Sequence, residues 1–329
     1  MKRLLCLCLV LFACLPAWAA KKPPYTYFRV GNASDVSSAV SGGTVLMGGG
    51  TDVDAAFQWM CGRAGNGDFL VIRATGTDAY NPYIQQLCPG VNSVATLIIP
   101  SQAAANDPGV AAIMQNAEAI WIAGGDQSDY TNFWTGTPVQ TILQAKITAG
   151  APVGGTSAGM NVLTQFVYSA NAPQGATSSQ SLADPFNRYL TFVRDFANVT
   201  SLAGIIGDPH FVTRDRMGRD LAFLCRVANA GWSSAPRGVA IDEQTALLID
   251  PAGHATLVGN STAYFLKAPG LPQTCAAKTP LTYDNIAVQR ISAGGTFDFG
   301  SWTATGATNY TVSADNGVLT STQAGGSAY

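Results

Sequence analysis

The sequence predicts an α/β protein: a three-layer sandwich with a mostly parallel central sheet flanked by helices, a candidate nucleophile at a strand-to-helix turn, and a small β-rich C-terminal part. Three observations lead there. Short, continuously apolar runs alternate with segments of helical spacing over the first half of the chain. The runs are apolar without alternation, which is the pattern of strands covered on both faces, as in parallel sheets. One of them ends in a G-x-S-x-G pentapeptide just before a helical pattern.

The strands expected in order are "GTVLMGGG" (43–50), ending in a glycine turn, "DFLVIRATG" (68–76), "ATLIIPS" (95–101), "AIWIAGGD" (119–126) and "APVGGTSAG" (151–159). Helices are expected over 52–64, 80–88, 105–116 and 137–149, and another from Ser157 to Tyr168. Residues 169–200, rich in Ser, Ala, Pro, Gln and Asn, read as a long surface loop at the rim of a site. A helix-like stretch follows over 209–229. "RGVAIDEQTALLID" and "HATLVGN" read as a hairpin turning through "PAG". From Leu281 come short alternating strands, and after residue 304 a Gly/Ser/Thr-rich tail. The expected division is a leader over 1–20, one catalytic domain over 21–304 and the tail over 305–329.

Residues 1–20 have the form of a secretory signal peptide: Lys2 and Arg3, an apolar stretch over 4–15, and the small-x-small site Ala17-Trp18-Ala19. "LFAC" loosely resembles a lipoprotein-processing box with Cys14 as acceptor. The bulky Phe12 and the A-x-A site downstream favour full cleavage and an exported protein, periplasmic or extracellular. No other apolar run is long enough to span a bilayer. Charged residues make up only 12% of the chain and the formal net charge is −2, so no basic face invites nucleic acid. Beyond the leader remain Cys61, Cys88, Cys225 and Cys275, an even set that in an exported chain suggests two disulfides. Four cysteines allow three pairings, of which sequence proximity favours Cys61–Cys88 with Cys225–Cys275; buried free thiols are the alternative. No CxxC or His/Cys cluster suggests zinc.

Gly155-Thr156-Ser157-Ala158-Gly159 would present the Ser157 hydroxyl at the carboxyl edge of the sheet, with the Ala158 N–H aimed where an oxyanion develops. A serine needs a base, and the chain holds only His210 and His254. His254 lies at a hairpin tip. His210 follows the short apolar run "GII", where side chains collect at the edge of an open sheet. Asp242 and Glu243 end a strand-like run and point to opposite faces, so only one can orient His210. Arg214, Arg216 and Arg219, all within ten residues of His210, could hold substrate carboxylates, although Asp215 and Asp220 are interleaved with them.

The four stretches "AGGDQ" (123–127), "GGTSAG" (154–159), "DPHFVTRDRMGR" (208–219) and "GVAIDEQTA" (238–246) occur in the order and rough spacing of the peptidase E/cyanophycinase family of serine peptidases, whose fold resembles class I glutamine amidotransferases. The resemblance covers residues 40 to 270 approximately. It implies Ser157 as nucleophile, His210 as general base and Glu243 as the acid behind it. It places Gly125 and Ala158 in the oxyanion hole, with Gln127, Asp208, Arg214, Arg216 and Arg219 near the substrate. It also implies a peptide or cyanophycin-like polymer as substrate, cleavage at aspartyl bonds, a homodimer, and no cofactor or metal. One position departs: Pro209 stands where cyanophycinases proper are expected to carry glutamine. Two rival readings remain: an α/β-hydrolase-type esterase using Asp184 as its acid, and an inactive binding protein of the same fold.

Overall fold

The computed structural model describes residues 22–329. The expected leader, with Cys14, lies outside the described residues. Two sheets form the molecule. The first is built on five parallel strands in the spatial order Ser93–Ile98, Asp68–Arg73, Ala119–Ile122, Val153–Thr156 and Thr44–Met47. An antiparallel strand, Thr26–Gly31, closes one edge. The hairpin Thr245–Ile249/His254–Gly259 extends the other. The apolar runs are continuous because each strand feeds two cores. Val45, Met47, Phe69, Val71 and Trp121 face the helices Asp54–Arg63 and Tyr80–Leu87. Leu46, Leu70, Ile72, Ile120 and Ile122 face Pro108–Gln115 and Pro138–Thr148. This is the expected three-layer arrangement.

The second sheet runs Val318–Ser321, Thr308–Asp315, Tyr283–Ser292, Thr262–Lys267, Arg237–Ile241, Ile205–Pro209, Phe166–Tyr168 and Phe192–Arg194. Parallel pairing there is confined to Arg237–Ile241 with Ile205–Pro209 and Ile205–Pro209 with Phe166–Tyr168. One face shares the first sheet's core through Val239, Ile241 and Phe265. The other is covered by Met217–Asn229 through Leu221 and Phe223. The disulfides pair as expected. Cys61–Cys88 joins the first of these helices to the end of the second, and Cys225–Cys275 ties Met217–Asn229 to a loop of the second sheet.

Several elements differ from expectation. The helix expected over Ser157–Tyr168 stops at Asn161, after four residues. The Thr164 hydroxyl accepts from Gly207 N–H and lies 2.9 Å from Asn161 O, and the β-branched and aromatic residues beyond it pair with the second sheet. The expected rim loop contains the helix Ser178–Ala183, started by a capping box of Thr177 and Gln180, and the strand Phe192–Arg194. The helix expected from 209 begins only at Met217, because Asp208 and Pro209 complete a strand. The expected tail forms two strands of the second sheet. Their threonines and alternating burial suit an edge, which composition alone does not distinguish from a solvated tail. The helix Gln127–Trp134 is an addition to the expected set. Its signal is Asp126, whose carboxylate caps Ser128 N–H at 2.9 Å.

The sheets meet at Gly48-Gly49-Gly50. The Gly48 carbonyl accepts from His210 N–H at 2.8 Å, its N–H donates to Thr245 O at 2.9 Å, and the Gly49 carbonyl accepts from Gln244 N–H at 2.8 Å. A Cβ on Gly48 would stand 2.0 Å from Asp242 O, and one on Gly49 2.3 Å from His210 Cε1. Gly48→Ala therefore forces the sheets apart. It is expected to lower unfolding stability by about 1–3 kcal/mol in urea titration, as overpacking of a filled core does. An unchanged midpoint would mean that the seam can relax.

Candidate active site

Ser157 ends the strand Val153–Thr156 with φ 54° and ψ −115°, a positive-φ backbone conformation rare for a residue bearing a side chain. Its surroundings enforce it. Ser157 N–H donates to Met47 O at 3.0 Å. Cβ atoms on Gly155 and Gly159 would lie 2.5 Å from Gly159 C and 2.0 Å from Ile122 O respectively. The chain therefore turns back on itself through the only residue type that fits, and the hydroxyl is left half-buried at the sheet's carboxyl edge.

His210 follows the strand Ile205–Pro209 of the second sheet, also at positive φ (51°). Its Nε2 lies 2.7 Å from Ser157 Oγ and its Nδ1 2.5 Å from Glu243 Oε1. The structure thus brings together Ser157, His210 and Glu243 in one hydrogen-bonded line. Glu243 sits where the chain leaves Arg237–Ile241 of the second sheet and enters Thr245–Ile249 of the first. The expected hairpin is real only from Thr245 onward; the preceding strand belongs to the other sheet. Asp242 faces away from the imidazole. Its carboxylate accepts from the N–H groups of Val212 and Thr213 and from the hydroxyls of Thr213 and Ser261. Burial would raise its pKa, but these donors, led by Thr213 N–H, bring it below the usual value. Asp242 so holds the loop that carries His210.

Burial is the largest influence on His210 and pushes its pKa down; the charges of Arg214 and Arg216 push the same way, and the Glu243 bond opposes them. The imidazole is neutral near pH 7, with Nε2 free to accept a proton when Glu243 holds the Nδ1 hydrogen. The Gly124-Gly125 turn lies against Ser157: a Cβ on Gly124 would be 3.5 Å from Ser157 Cβ. The Tyr130 hydroxyl pins the turn by donating to Ala123 O at 2.9 Å. Among the described residues, neither Gly125 N–H nor Ala158 N–H has a protein acceptor, which leaves both open to a developing oxyanion. Gln127 opens the next helix, and its side-chain amide donates to Tyr168 O.

The predicted substrate-binding set divides. Asp208 is fully buried and Arg219 is 3% exposed, and they pair through Arg219 Nη2 to Asp208 Oδ1 and Nε to Oδ2. The Arg219 guanidinium also stacks on Tyr168 at 4.9 Å. Arg216 donates to Asp208 and to Pro209 O. These three form an ion cluster under the His210 loop, in which Asp208 and Arg219 are buried and the Arg216 side chain stays 14% exposed. Beside it Asp220 is wholly buried, and burial followed by the Asp208 charge pushes its pKa well above the usual carboxylate value. Arg214 alone stays open, with a half-exposed side chain whose Nε is 3.8 Å from Glu243 Oε1. Asp184 accepts from Phe186 N–H and Lys278 N–H; the acid on His210 is Glu243. His254 is an exposed hairpin residue between Asp250 and Asp298, as expected.

Two features of the site escape a reading of the sequence. The glycine turn 48–50, expected as a turn, has a role that the sequence does not show: it is the floor under His210 and Glu243. Next to Gly50 a cleft of about 490 Å³ is lined by Thr51, Asp52, Asp54, Arg73, Tyr80 and Tyr83. Burial raises the Asp52 pKa to about 6, although the Tyr80 hydroxyl donates to it.

Comparison with known proteins adds relatives to this geometry. The model of peptidase family S51 matches residues 39–256. A protein named cyanophycinase from Trichormus variabilis is 25% identical over 213 residues, 63% of this chain and 66% of the relative. Another cyanophycinase, from Geminocystis herdmanii, is 23% identical over 64% of this chain and 72% of its own. The aligned stretch thus spans 66% of the length of the Trichormus protein. A peptidase from an acI-B1 Actinobacterium has a similar fold, with TM-score 0.54 and 18% identity over 80% of this chain and 98% of its own.

If the lowered His210 pKa governs Ser157, labelling by a fluorophosphonate should follow an acid limb centred below the ordinary value of 6.5 and level off above it. Arg214→Ala removes a cation that opposes imidazole protonation, so the limb should move to higher pH. A limb above 6.5 in the wild type, or a downward shift in the variant, would contradict this assignment.

Proposed function

The chain belongs to peptidase family S51, and from that premise we propose that it is a serine peptidase that cleaves aspartyl bonds, above all β-aspartyl (isopeptide) bonds, through an acyl-enzyme. The observation that carries the proposal is the continuous line Ser157 Oγ–His210 Nε2 and His210 Nδ1–Glu243 Oε1 on a strained turn. Neutral His210 takes the Ser157 proton as Oγ attacks the scissile carbonyl carbon. The carbonyl oxygen gathers the negative charge and is met by the N–H groups of Gly125 and Ala158. Glu243 holds the Nδ1 hydrogen and offsets the imidazolium charge. His210 then gives the proton to the leaving nitrogen, the C–N bond breaks, and the acyl group stays on Ser157. Water, deprotonated by His210, attacks that ester and releases Ser157.

For the substrate, the relatives named cyanophycinase support cyanophycin or β-Asp-Arg peptides. Exposed Arg214 suits the free carboxylate of an aspartyl unit, and the Asp52/Asp54 cleft with its two tyrosine rings suits a guanidinium. Pro209 is buried and offers only its carbonyl, which Arg216 occupies. We place the enzyme outside the cytoplasm, where the leader at 1–20 would deliver it and where the two disulfides would persist. Such a location suits degradation of polymer released by other cells.

The test is product analysis with β-Asp-Arg polymer and with α- and β-linked aspartyl dipeptides. β-Linked substrates should be cut, and Ser157→Ala should lose about 10³-fold or more in kcat. Glu243→Gln should cost about 10²–10⁴-fold, while Asp184→Asn should change little. Cleavage of α-linked substrates alone would reject the bond assignment. Loss confined to Asp184→Asn would reject the acid. Asp52→Asn is expected to raise KM for arginine-bearing substrates several-fold with kcat nearly kept, as loss of one charge-assisted contact does.

A further inference from the structure

We propose that Tyr329 is a positioning residue for His210, a clamp by which the C-terminal part of the second sheet holds the His210–Arg216 loop in its reactive shape. The inference rests on the reading of His210 as general base. The loop is held in an unfavourable backbone conformation at both ends, His210 at φ 51° and Asp215 at φ 48°. Residues other than glycine persist there only when their surroundings over-determine them. The Gly48 carbonyl and Asp242 hold the first part of the loop. The second part ends at a helix whose N-cap, Arg216, supplies no side-chain hydrogen bond.

Tyr329 supplies the first cap there, beside the Ser178 hydroxyl, which accepts from Arg219 N–H at 3.2 Å and donates to Asp215 O at 2.5 Å. The Tyr329 hydroxyl oxygen accepts from Met217 N–H, the first N–H of that helix, at 2.8 Å, and its hydrogen is donated to Asp215 Oδ1 at 2.8 Å. One group thus caps the helix and restrains the strained residue two positions before it. Its ring packs edge-on against Phe211, next to His210, at 5.7 Å and against Tyr264 of the second sheet at 6.1 Å. The segment is itself anchored. The Tyr310 hydroxyl donates to Ala328 O at 2.8 Å, and the Gln323 amide to the carbonyls of Ser327 and Tyr329. All of these anchors lie beyond residue 256, where the family match ends. The loop that carries the candidate base is therefore completed by a part of this chain outside the matched region.

The experiment compares full-length Tyr329→Phe, Tyr329→Ala and Tyr283→Phe with the wild type. It reads the fluorophosphonate labelling rate of Ser157 against pH, the kcat and KM of hydrolysis, and thermal unfolding. Tyr329→Phe keeps the ring and loses both hydrogen bonds, so it should stay folded. Its labelling rate and kcat should fall about fivefold, the scale of one net hydrogen bond, with KM within about twofold. Its acid limb should move toward higher pH as water reaches the loosened imidazole. Tyr329→Ala should fall further. Tyr283→Phe removes a bond of the same kind, to Gly270 O at 2.6 Å, away from the loop; it should be labelled at the wild-type rate even if its melting temperature drops. Wild-type labelling and an unmoved acid limb in Tyr329→Phe overturn the clamp, and so does an equal loss of labelling in Tyr283→Phe. Failure of the wild type to be labelled removes the base reading and this inference with it, whereas failure confined to the Tyr329 comparison leaves that reading standing.

Discussion

The close approach of two sheets at Gly48-Gly49-Gly50 is the constraint on which the candidate site depends. Ser157 belongs to the first sheet, His210 to the second, and Glu243 to the stretch that passes between them. Their 2.7 and 2.5 Å contacts exist only because the glycine backbone admits the His210 ring and the Asp242 carbonyl to distances that any Cβ would forbid. Those same glycines bond to His210, Gln244 and Thr245 through their backbone. Packing and polar satisfaction thus select the same spacing.

Around that seam the charges sort by burial. Asp208 bonds to both Arg216 and Arg219 beneath the loop, and Asp242 is satisfied by four donors. Glu243 and Arg214 keep exposed polar surface beside His210. A buried ion cluster with its bonds satisfied fixes shape at little net gain in stability. Here the shape it supports is a loop with two residues at positive φ. The strain at Ser157 and His210 is consistent with a preorganised site, in which reacting groups are aligned before the ligand arrives.

Much of this is readable from residue patterns. The parallel core is legible because a short, continuously apolar run bounded by turn residues fits a strand buried on both faces and little else. Ser157 is legible because an elbow needs small residues at fixed offsets, and His210 because the alternative histidine sits in a solvated turn. The choice between Asp242 and Glu243 rests on resemblance, since alternation along a strand says that they diverge and not which one faces the imidazole. The arginines show the limit of spacing for a related reason. Their spacing shows that they are close to His210, but whether a guanidinium meets a ligand or a buried carboxylate depends on Asp208, which lies on a different element.

The sequence by itself determined the local chemistry: the turn that only glycines permit and the strands with two apolar faces. The tertiary structure decided everything that depends on two distant segments meeting. It split "GVAIDEQTA" between two sheets, turned the Thr-rich end of the chain into strands, and brought Tyr329 to the helix start at Met217. The physical reason is range. Backbone sterics and side-chain periodicity act over a few residues and leave their mark in composition and spacing. Long-range hydrogen bonds and ion pairs carry no such local mark, because their partners become neighbours only when the core is packed.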